Sequence, residues 1–363
     1  MTSMGKLLSR RSLLAAGGVA GGLALTGCSR GPVAAIAGTA SNDPVAPYRT
    51  PYKLDELVLE GSHEPGTFDE KAVDCPFVFW HEGQFHMLYT GWDGTGYQTG
   101  RAVSKDLVNW KRAGIMMARD PDDPVTRYNI SCASILRENE LYSPGRLLKV
   151  DGRYLATWHA YPNPGYEEGA AVIGLAWSDD LVNWERTEPI LRPEDGAPWE
   201  RGGLYKSYIT KQGETYFLYY NAKTEGDPWK EQTGVAISRD LKRWSRYSGN
   251  PILRNGDEGA PDSWFASDPV VYTHNGEWSM YYFGRAADGK CRELLAIGDS
   301  PINFKKVPDI IVDKGRPGSI DEHFAHKPSL VYNDGALYHF YTAVSGTWPN
   351  DVRGLTVARS KPW

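Results

Sequence analysis

The heptapeptide SKDLVNW, at Ser104–Trp110, returns as SDDLVNW at Ser178–Trp184 and as SRDLKRW at Ser238–Trp244. The three copies share Ser, Asp, Leu and Trp in one register and begin 74 and 60 residues apart. A pattern that recurs at this spacing indicates that one structural unit has been copied along the chain. Ser and Asp of the motif are expected to bond to backbone in a tight turn, while Leu and Trp fill the space between units.

Each unit opens with a hairpin signature, in which a Gly-containing turn separates two strand-like runs. The five openings are CPFVFWHEGQFHMLYTG from residue 75, PGRLLKVDGRYLATWHA from 144, KSYITKQGETYFLYYNA from 206, DPVVYTHNGEWSMYYFG from 268 and KPSLVYNDGALYHFYTA from 327. Two further strands complete a unit, which predicts an all-β fold, a five-bladed β-propeller with four-stranded antiparallel blades. The last unit has sequence for only three strands, so the segment around Leu54 to Leu59 is predicted to supply the fourth.

The N-terminus has the features of an export signal. Arg10 and Arg11 precede an apolar run that is too short and too rich in glycine to span a membrane. The pair resembles a twin-arginine signal, and LTGC ending at Cys28 resembles a lipoprotein box; a plain secretory signal cut elsewhere is the alternative. We therefore expect a signal over 1–28, a flexible linker over 29–47 and a catalytic propeller over 48–363, exported to the periplasm or cell surface. A lipid on Cys28 would be the only attachment to a membrane.

Composition excludes several other classes of protein. The net charge is −5 and no basic run follows the signal, which argues against a nucleic-acid partner. Beyond Cys28 the sequence has an odd number of cysteines, namely Cys75, Cys132 and Cys291, so no disulfide framework is implied. No metal-binding spacing is present, and neither a metal nor a cofactor is predicted. The 13 Trp and 21 Tyr suit a large β core or a sugar-binding surface.

In a propeller, the start of each first strand and the end of each second strand face one mouth of the central channel. Aligning the hairpins places Cys75, Pro144, Lys206, Asp268 and Lys327 in one column, preceded by Asp74, Ser143, Tyr205, Ser267 and His326. A concave mouth with aromatic and convergent polar groups is the default ligand site. The alternative is that these polar side chains cap strands and bond to backbone at the rim.

Five blades with SxDLxxW turns and an Asp268-Pro269 opening resemble the five-bladed glycosidases. These are glycoside hydrolase families 43, 32 and 68 and their relatives, such as families 117 and 130. Families 43 and 32 imply carboxylates on the first three blades, where this sequence has Cys75, Pro144 and Lys206. The distribution is closer to family 117, in which acids on blades one, four and five cooperate.

By this analogy Asp74 is the candidate base, brought to the channel by a one-residue bulge. Asp268 would hold the sugar or raise the pKa of a partner. The proton donor would be His326 or Glu322, and His326 is favoured because its unperturbed pKa is the more suitable. Glycoside hydrolysis needs two such groups across the scissile bond.

The remaining candidates would bind the substrate. They are Trp92, Asp93, His159, Lys206, Asn221, Trp264, Arg285 and Lys327. Three cations on one rim, Lys206, Arg285 and Lys327, suggest an anionic sugar or phosphate unless they form ion pairs with the nearby carboxylates. The insertions at 119–142 and 161–169 are predicted to form one wall of the pocket.

The sequence thus predicts an exported glycoside hydrolase, exo-acting on oligosaccharides that carry an anionic or modified sugar. A glycoside phosphorylase and a non-catalytic carbohydrate-binding lipoprotein remain alternatives. A phosphorylase needs one protein acid and a cationic phosphate site, which the rim permits, although export argues against it. A redox propeller that carries a cofactor is not favoured, because the sequence has no motif that would bind one.

Overall fold

A computed structural model describes residues 43–347 and 350–363. The predicted export signal over 1–28, with the possible lipid site at Cys28, and most of the predicted linker lie outside the described residues. A 3-10 helix at Ala46–Tyr48 precedes the first strand and buries Tyr48. Within the described ranges, no helix is long and apolar enough to cross a membrane.

The strands fall into five antiparallel groups, which we call blades one to five. Two short strands come first, β1 (Tyr52–Lys53) and β2 (Leu59–Glu60). Blade one contains β3 (Ala72–His81), β4 (Gln84–Trp92), β5 (Tyr97–Ser104) and β6 (Lys111–Met117). Blade two contains β7 (Ser131–Ile135), β8 (Lys149–Val150), β9 (Arg153–Ala160), β10 (Val172–Ser178) and β11 (Glu185–Arg186).

Two 3-10 helices, Pro193–Asp195 and Pro198–Glu200, lead into the second half of the molecule. Blade three contains β12 (Gly203–Gln212), β13 (Thr215–Lys223), β14 (Glu231–Ser238) and β15 (Ser245–Arg246). Blade four contains β16 (Phe265–His274), β17 (Glu277–Arg285), β18 (Cys291–Ser300) and β19 (Asn303–Val312). Blade five contains β20 (Phe324–Asn333), β21 (Ala336–Ser345) and β22 (Val352–Arg359).

The predicted all-β class is confirmed, and the blade arrangement is consistent with a five-bladed propeller. The first strands of successive blades contact one another, and β20 of blade five contacts β3 of blade one. Hydrophobic side chains fill the junctions; Val78 and Phe340, for example, belong to one cluster between blades one and five. Burying each such side chain contributes about 1.5–3 kcal/mol.

The ring closes as the sequence predicted. β1 and β2 pair with β22, Tyr52 opposite Arg359 and Leu59 opposite Leu355. Between them, the Leu54 amide donates to the Val357 carbonyl oxygen at 2.8 Å. The start of the domain therefore supplies the strand that the last blade lacks.

The SxDLxxW motif forms one turn three times. In the first copy, Ser104 Oγ accepts the Leu107 amide at 2.9 Å, and Asp106 Oδ1 accepts the Asn109 amide at 2.7 Å. Leu107 has a φ of 67° and is buried, while the Trp110 indole donates back to the Leu107 carbonyl oxygen. Leu181 and Leu241 repeat this conformation, with φ of 63° and 60°.

Blade two departs from the predicted strand order. Its inner strand is β7, in which Ser131 lies opposite His159, whereas the predicted first strand contributes only the short β8. Ser143 and Pro144 were predicted to face the mouth, and this is wrong. By pairing register, Ser131 and Cys132 take those places.

The cause is a detour over 136–148, which leaves the inner edge of blade two between β7 and β8. Its backbone pairs with Thr273 of blade four, with Trp80 of blade one and with Tyr332 of blade five. These contacts lie at the far ends of the inner strands, so we call 136–148 the plug segment. The last part of the 119–142 insertion, 136–142, therefore closes the channel opposite the mouth, rather than forming a pocket wall as predicted.

Candidate active site

Four inner strands carry the same bulge at the mouth. The pairing register shifts after Asp74, Tyr205, Ser267 and His326. The residue that follows each has a left-handed backbone: Cys75 (φ 55°), Lys206 (φ 48°), Asp268 (φ 54°) and Lys327 (φ 68°). A bulge re-aims the side chains of a strand end. The repeat thus places chemically different side chains at equivalent positions around one mouth.

Asp74 is buried and ionised. Its Oδ2 accepts Lys327 Nζ and Arg353 Nη1, both at 2.8 Å, and its Oδ1 accepts Thr342 Oγ1 at 2.8 Å and the Cys75 amide at 2.9 Å. Burial alone would raise the pKa of Asp74, but the charges of Lys327 and Arg353 hold it well below its usual value. Four donors occupy its four acceptor sites, so this carboxylate is a fixed negative charge.

Asp268 has the opposite character. It is 2% exposed, and burial raises its pKa from 3.8 to about 7, with help from the negative charges of Glu231 and Asp74 and against the cations Lys327 and Lys206. Asn221 Nδ2 donates to its Oδ1 over a long 3.3 Å. A carboxyl group that titrates near neutrality can donate a proton at physiological pH.

The two predicted proton donors fit that role less well. His326 is buried between Phe283 and Phe324, and its Nδ1 lies 2.9 Å from the Thr342 carbonyl oxygen. Burial and the neighbouring Lys327 charge lower the pKa of His326 well below its usual value, so the imidazole is neutral.

Glu322 lies apart from this cluster. Its carboxylate accepts the amides of Gly318 and Gly346, at 2.7 and 2.9 Å, and these bonds lower its pKa. It therefore stabilises loops of blade five in the ionised form. An ionised carboxylate has no proton to donate to a substrate.

Two predicted substrate-binding residues, His159 and Asn221, form hydrogen bonds with other residues of the mouth. His159 Nδ1 accepts the Lys206 amide at 3.3 Å, and burial lowers its pKa to about 3. Asn221 is fully buried and donates to Glu231 Oε2 at 3.0 Å as well as to Asp268. Both orient neighbouring groups.

Trp92 and Asp93 follow blade one's second strand. The Trp92 ring packs on Tyr97 at 5.1 Å and on Tyr166 at 5.9 Å. Asp93 accepts the amides of two turn residues and pairs with Arg119 at 2.7 Å. Trp92 thus packs in a cluster with Tyr97 and Tyr166, whereas the hydrogen bonds of Asp93 are made within its own turn and with Arg119.

The predicted cations divide into two kinds. Lys327 pairs with Asp74, as the ion-pair alternative requires. Lys206 and Arg285 form no ion pair and no side-chain hydrogen bond with any residue in 43–347 or 350–363. Lys206 is only 5% exposed, and its charge acts on Asp268.

Three charged residues of the site were not among the candidates predicted from the sequence. Glu231, in β14, accepts Ser267 Oγ at 2.6 Å and the Trp229 indole at 3.0 Å. Glu167, in the loop between β9 and β10, has a pKa that burial raises. Arg353 lies near the start of β22, 5.8 Å from the Tyr166 ring. None belongs to the aligned columns, although Glu167 falls in the predicted wall at 161–169.

Among the described residues, no group of three or more His, Cys, Asp or Glu side chains could hold a metal ion. The mouth combines Asp268, whose pKa is raised to about 7, the ionised Asp74, and the cations Lys206 and Arg285, which have no ion-pair partner within the described ranges. Its chemistry is that of proton transfer next to fixed charges.

Part of this sequence is similar to a family profile and to a curated enzyme that are named for their action on glycosides. A profile described as the glycosyl hydrolases family 32 N-terminal domain matches residues 137–294, which include Lys206, Glu231 and Asp268. The protein is 28% identical, over 207 residues, to a 1,2-beta-oligomannan phosphorylase of Thermoanaerobacter sp. (strain X514). That match covers 55% of this sequence and 58% of the relative. The protein is similar to carbohydrate-acting enzymes.

Solved structures extend the similarity to nearly the whole domain. One described as a glycoside hydrolase is 25% identical, with a TM-score of 0.75 and coverage of 90% of this protein and 97% of that one. Another, described as a complex of BT0996 with RGII, is 27% identical, with a TM-score of 0.74 and coverage of 88% and 94%. Members of families 43, 117 and 130 share the fold alone, at 13–18% identity and TM-scores of 0.55–0.59.

Proposed function

We propose that this protein is an exported glycoside hydrolase that removes terminal sugars from oligosaccharides carrying an anionic or modified sugar. The observation that carries the proposal is the opposite titration of two buried carboxyl groups in one mouth. The pKa of Asp268 is raised to about 7, and that of Asp74 is held far below its usual value. Two buried carboxyl groups whose pKa values diverge can divide the work of a site, one donating a proton and the other remaining as a charge.

In this proposal Asp268 protonates the glycosidic oxygen as the bond breaks. Asp74, ionised and held by four donors, stabilises the positive charge that develops on the sugar ring. Asp74 is the candidate base by sequence, but its occupied oxygens support a purely electrostatic role.

The group that activates water would be Glu167. Its carboxylate has no hydrogen-bond or ion-pair partner within the described ranges, so its lone pairs remain available. Burial raises its pKa, and Lys327 and Lys223 lie within reach of its charge. The loop that carries it reaches from blade two toward Arg353 of blade five and overhangs the mouth.

Exo action is supported by the shape of the channel. The plug segment closes the end opposite the mouth, so substrate has one way in. A hollow that is open at one end admits the end of an oligosaccharide more readily than its middle. The unpaired cations Lys206 and Arg285 support an anionic sugar.

The test separates acid from base by rescue. Asp268→Asn should lower kcat on unactivated oligosaccharides by at least about 10³-fold, yet retain activity on dinitrophenyl glycosides, whose leaving group needs no proton. Glu167→Gln should lose activity on both substrates and recover with azide, which replaces the activated water.

The pH profile is a second measurement. Because Asp268 holds its proton below pH 7 and loses it above, turnover should fall as the pH rises through about 7. That alkaline limb should be absent from Asp268→Asn acting on dinitrophenyl glycosides. An unchanged limb in the variant would remove Asp268 from the proton-donor role.

A glycoside phosphorylase is the second candidate, favoured by the similarity to the 1,2-beta-oligomannan phosphorylase. The unpaired Lys206 beside Asp268 would suit a phosphate nucleophile. Turnover of β-1,2-mannan oligosaccharides that requires phosphate and releases a sugar phosphate would replace hydrolysis as the activity. Turnover that is independent of phosphate would exclude it.

A further inference from the structure

Arg285 forms no ion pair with any described residue. It ends β17 opposite Phe265, and its guanidinium lies 5.3 Å from the Phe265 ring, 6.0 Å from Trp264 and 5.9 Å from Phe324. Its Nε is buried and has no hydrogen-bond partner in the part of the chain that the structure describes. No described residue offers the guanidinium a carboxylate or carbonyl oxygen.

Trp264 beside it is an exposed indole on a rigid backbone. It is one of the few large apolar residues left open to solvent, with 41% of its surface exposed. Its amide donates to the Arg285 carbonyl oxygen at 2.9 Å, and its own carbonyl oxygen accepts Asn255 Nδ2 at 2.8 Å. The backbone at Trp264 is therefore held in place, while much of the residue remains open to solvent.

We propose that Trp264 and Arg285 form a subsite for a uronic acid residue of the substrate. The sugar ring would lie on the indole face, and its carboxylate would accept two parallel hydrogen bonds from the guanidinium. This inference rests on the proposed function, since it names the charged sugar that the enzyme recognises and the residues that recognise it.

The surroundings of Arg285 favour a carboxylate over phosphate. One guanidinium neutralises a single negative charge, whereas a phosphate dianion would leave net charge among the rings of Phe265 and Phe324. The flat fork of Arg285 also matches a planar group in both shape and donor spacing. Lys327 and Arg353 are already paired with Asp74 and do not compete for the ligand.

Binding is measured by calorimetry on the full-length protein carrying Asp268→Asn, which prevents turnover. The probes are galacturonic and glucuronic acid disaccharides and their methyl esters, because esterification removes only the charge. One of the two acids should bind at least about tenfold more tightly than its ester.

Three variants in that background resolve the contributions. Arg285→Gln should abolish the preference for acid over ester, whereas Trp264→Ala should weaken both ligands alike. Arg285→Lys should keep part of the preference, since it retains the charge but not the fork. Arg239→Gln, which changes an exposed arginine in the outer turn of blade three, is the matched control and should change nothing.

Equal affinity for acid and ester overturns the subsite, and so does a preference that survives Arg285→Gln. Binding of neither acid, or tighter binding of a sulfated galactose disaccharide, also overturns it. If the acids bind as expected while the unsubstituted enzyme cleaves no glycoside, the subsite stands and the proposed hydrolase activity falls.

Discussion

The two ends of the central channel hold arginine in opposite states. At the plugged end, Arg137 is 3% exposed and donates to the carbonyl oxygens of Val78 and Leu330 and to the Tyr272 hydroxyl. These partners belong to blades one, five and four. At the mouth, Arg285 reaches no acceptor in the described residues.

Aromatic contact does not separate the two arginines. Arg137 lies 5.0 Å from the Phe77 ring and 5.5 Å from Tyr272, much as Arg285 lies against its own aromatic neighbours. What differs is the supply of acceptors. The Nε of each arginine is buried without a hydrogen-bond partner among the described residues, so the difference lies in the terminal nitrogens. Those of Arg137 donate to three blades and tie them together, whereas those of Arg285 have no acceptor in the described ranges and are available to a ligand. Lys327 is an intermediate case, because it lies at the mouth like Arg285 but has an acceptor, Asp74, within the protein.

Replacing Arg137 should have the largest effect on stability. Arg137→Met leaves the buried Val78 carbonyl oxygen without its arginine donor, while the Leu330 carbonyl oxygen keeps only the Tyr272 hydroxyl, at 3.3 Å. An orphaned buried acceptor costs about 1–3 kcal/mol, and the lost hydrogen bonds from the charged guanidinium to Leu330 and Tyr272 add to that loss. The free energy of unfolding, measured by urea titration, should fall by about 2–4 kcal/mol. Arg137→Lys is the control, since it keeps the charge and should lose less. An unchanged urea midpoint for Arg137→Met would show that the hydrogen bonds of Arg137 do not stabilise the fold.

Lys327→Met should have a smaller effect that depends on pH. Asp74 would lose one of its two cations while Arg353 remains, so we expect a loss of about 2 kcal/mol at pH 7. The pKa of Asp74 is depressed in the folded state, so its stabilisation is present above its ordinary pKa of 3.8 and is lost as the pH falls through the folded value.

The variant raises the folded pKa of Asp74 toward 3.8, so the difference between variant and unsubstituted protein should shrink as the pH falls below about 4. Urea titrations at pH 7 and in acid measure it. A difference that is equal at both pH values would mean that Lys327 acts by packing and not by its charge.

Local signals in the sequence predicted most of the architecture. SxDLxxW specifies its turn through Ser104, Asp106 and Leu107, residues within four positions of one another. The hairpin turns are equally local. The pairing of 52–60 with β22 spans almost the whole domain, yet it followed from the missing strand of the last unit.

Blade two was mispredicted because its local and distant signals conflict. The turn at Asp151-Gly152 does join β8 to β9, as the hairpin signature indicated. The rest of the inner edge comes from β7, which lies before the plug segment. The contacts that draw 136–148 away from its own blade involve Trp80, Thr273 and Tyr332, and no local pattern encodes them.

The sequence predicted that Asp74, Asp268 and Lys327 lie at one mouth, which the structure shows, while their catalytic and binding roles stay predictions. The columns found Asp74, Asp268 and Lys327, because bulges repeat with the blades. The proton affinities could not be read from the columns. The raised pKa of Asp268 comes from its burial, with help from Glu231. The lowered pKa of Asp74 comes first from Lys327, which is in the columns, and then from Arg353, which is not.

Arg285→Gln should have the smallest effect on stability. The variant loses cation–π contacts, each about 0.5–1 kcal/mol, but it also removes a half-buried charge that no acceptor satisfies. These terms oppose each other, so the free energy of unfolding should change by no more than about 0.5 kcal/mol. Urea titration beside Arg137→Met measures the contrast directly. A loss above about 1.5 kcal/mol would place Arg285 with the structural arginine, and its missing acceptors would then no longer mark a binding residue.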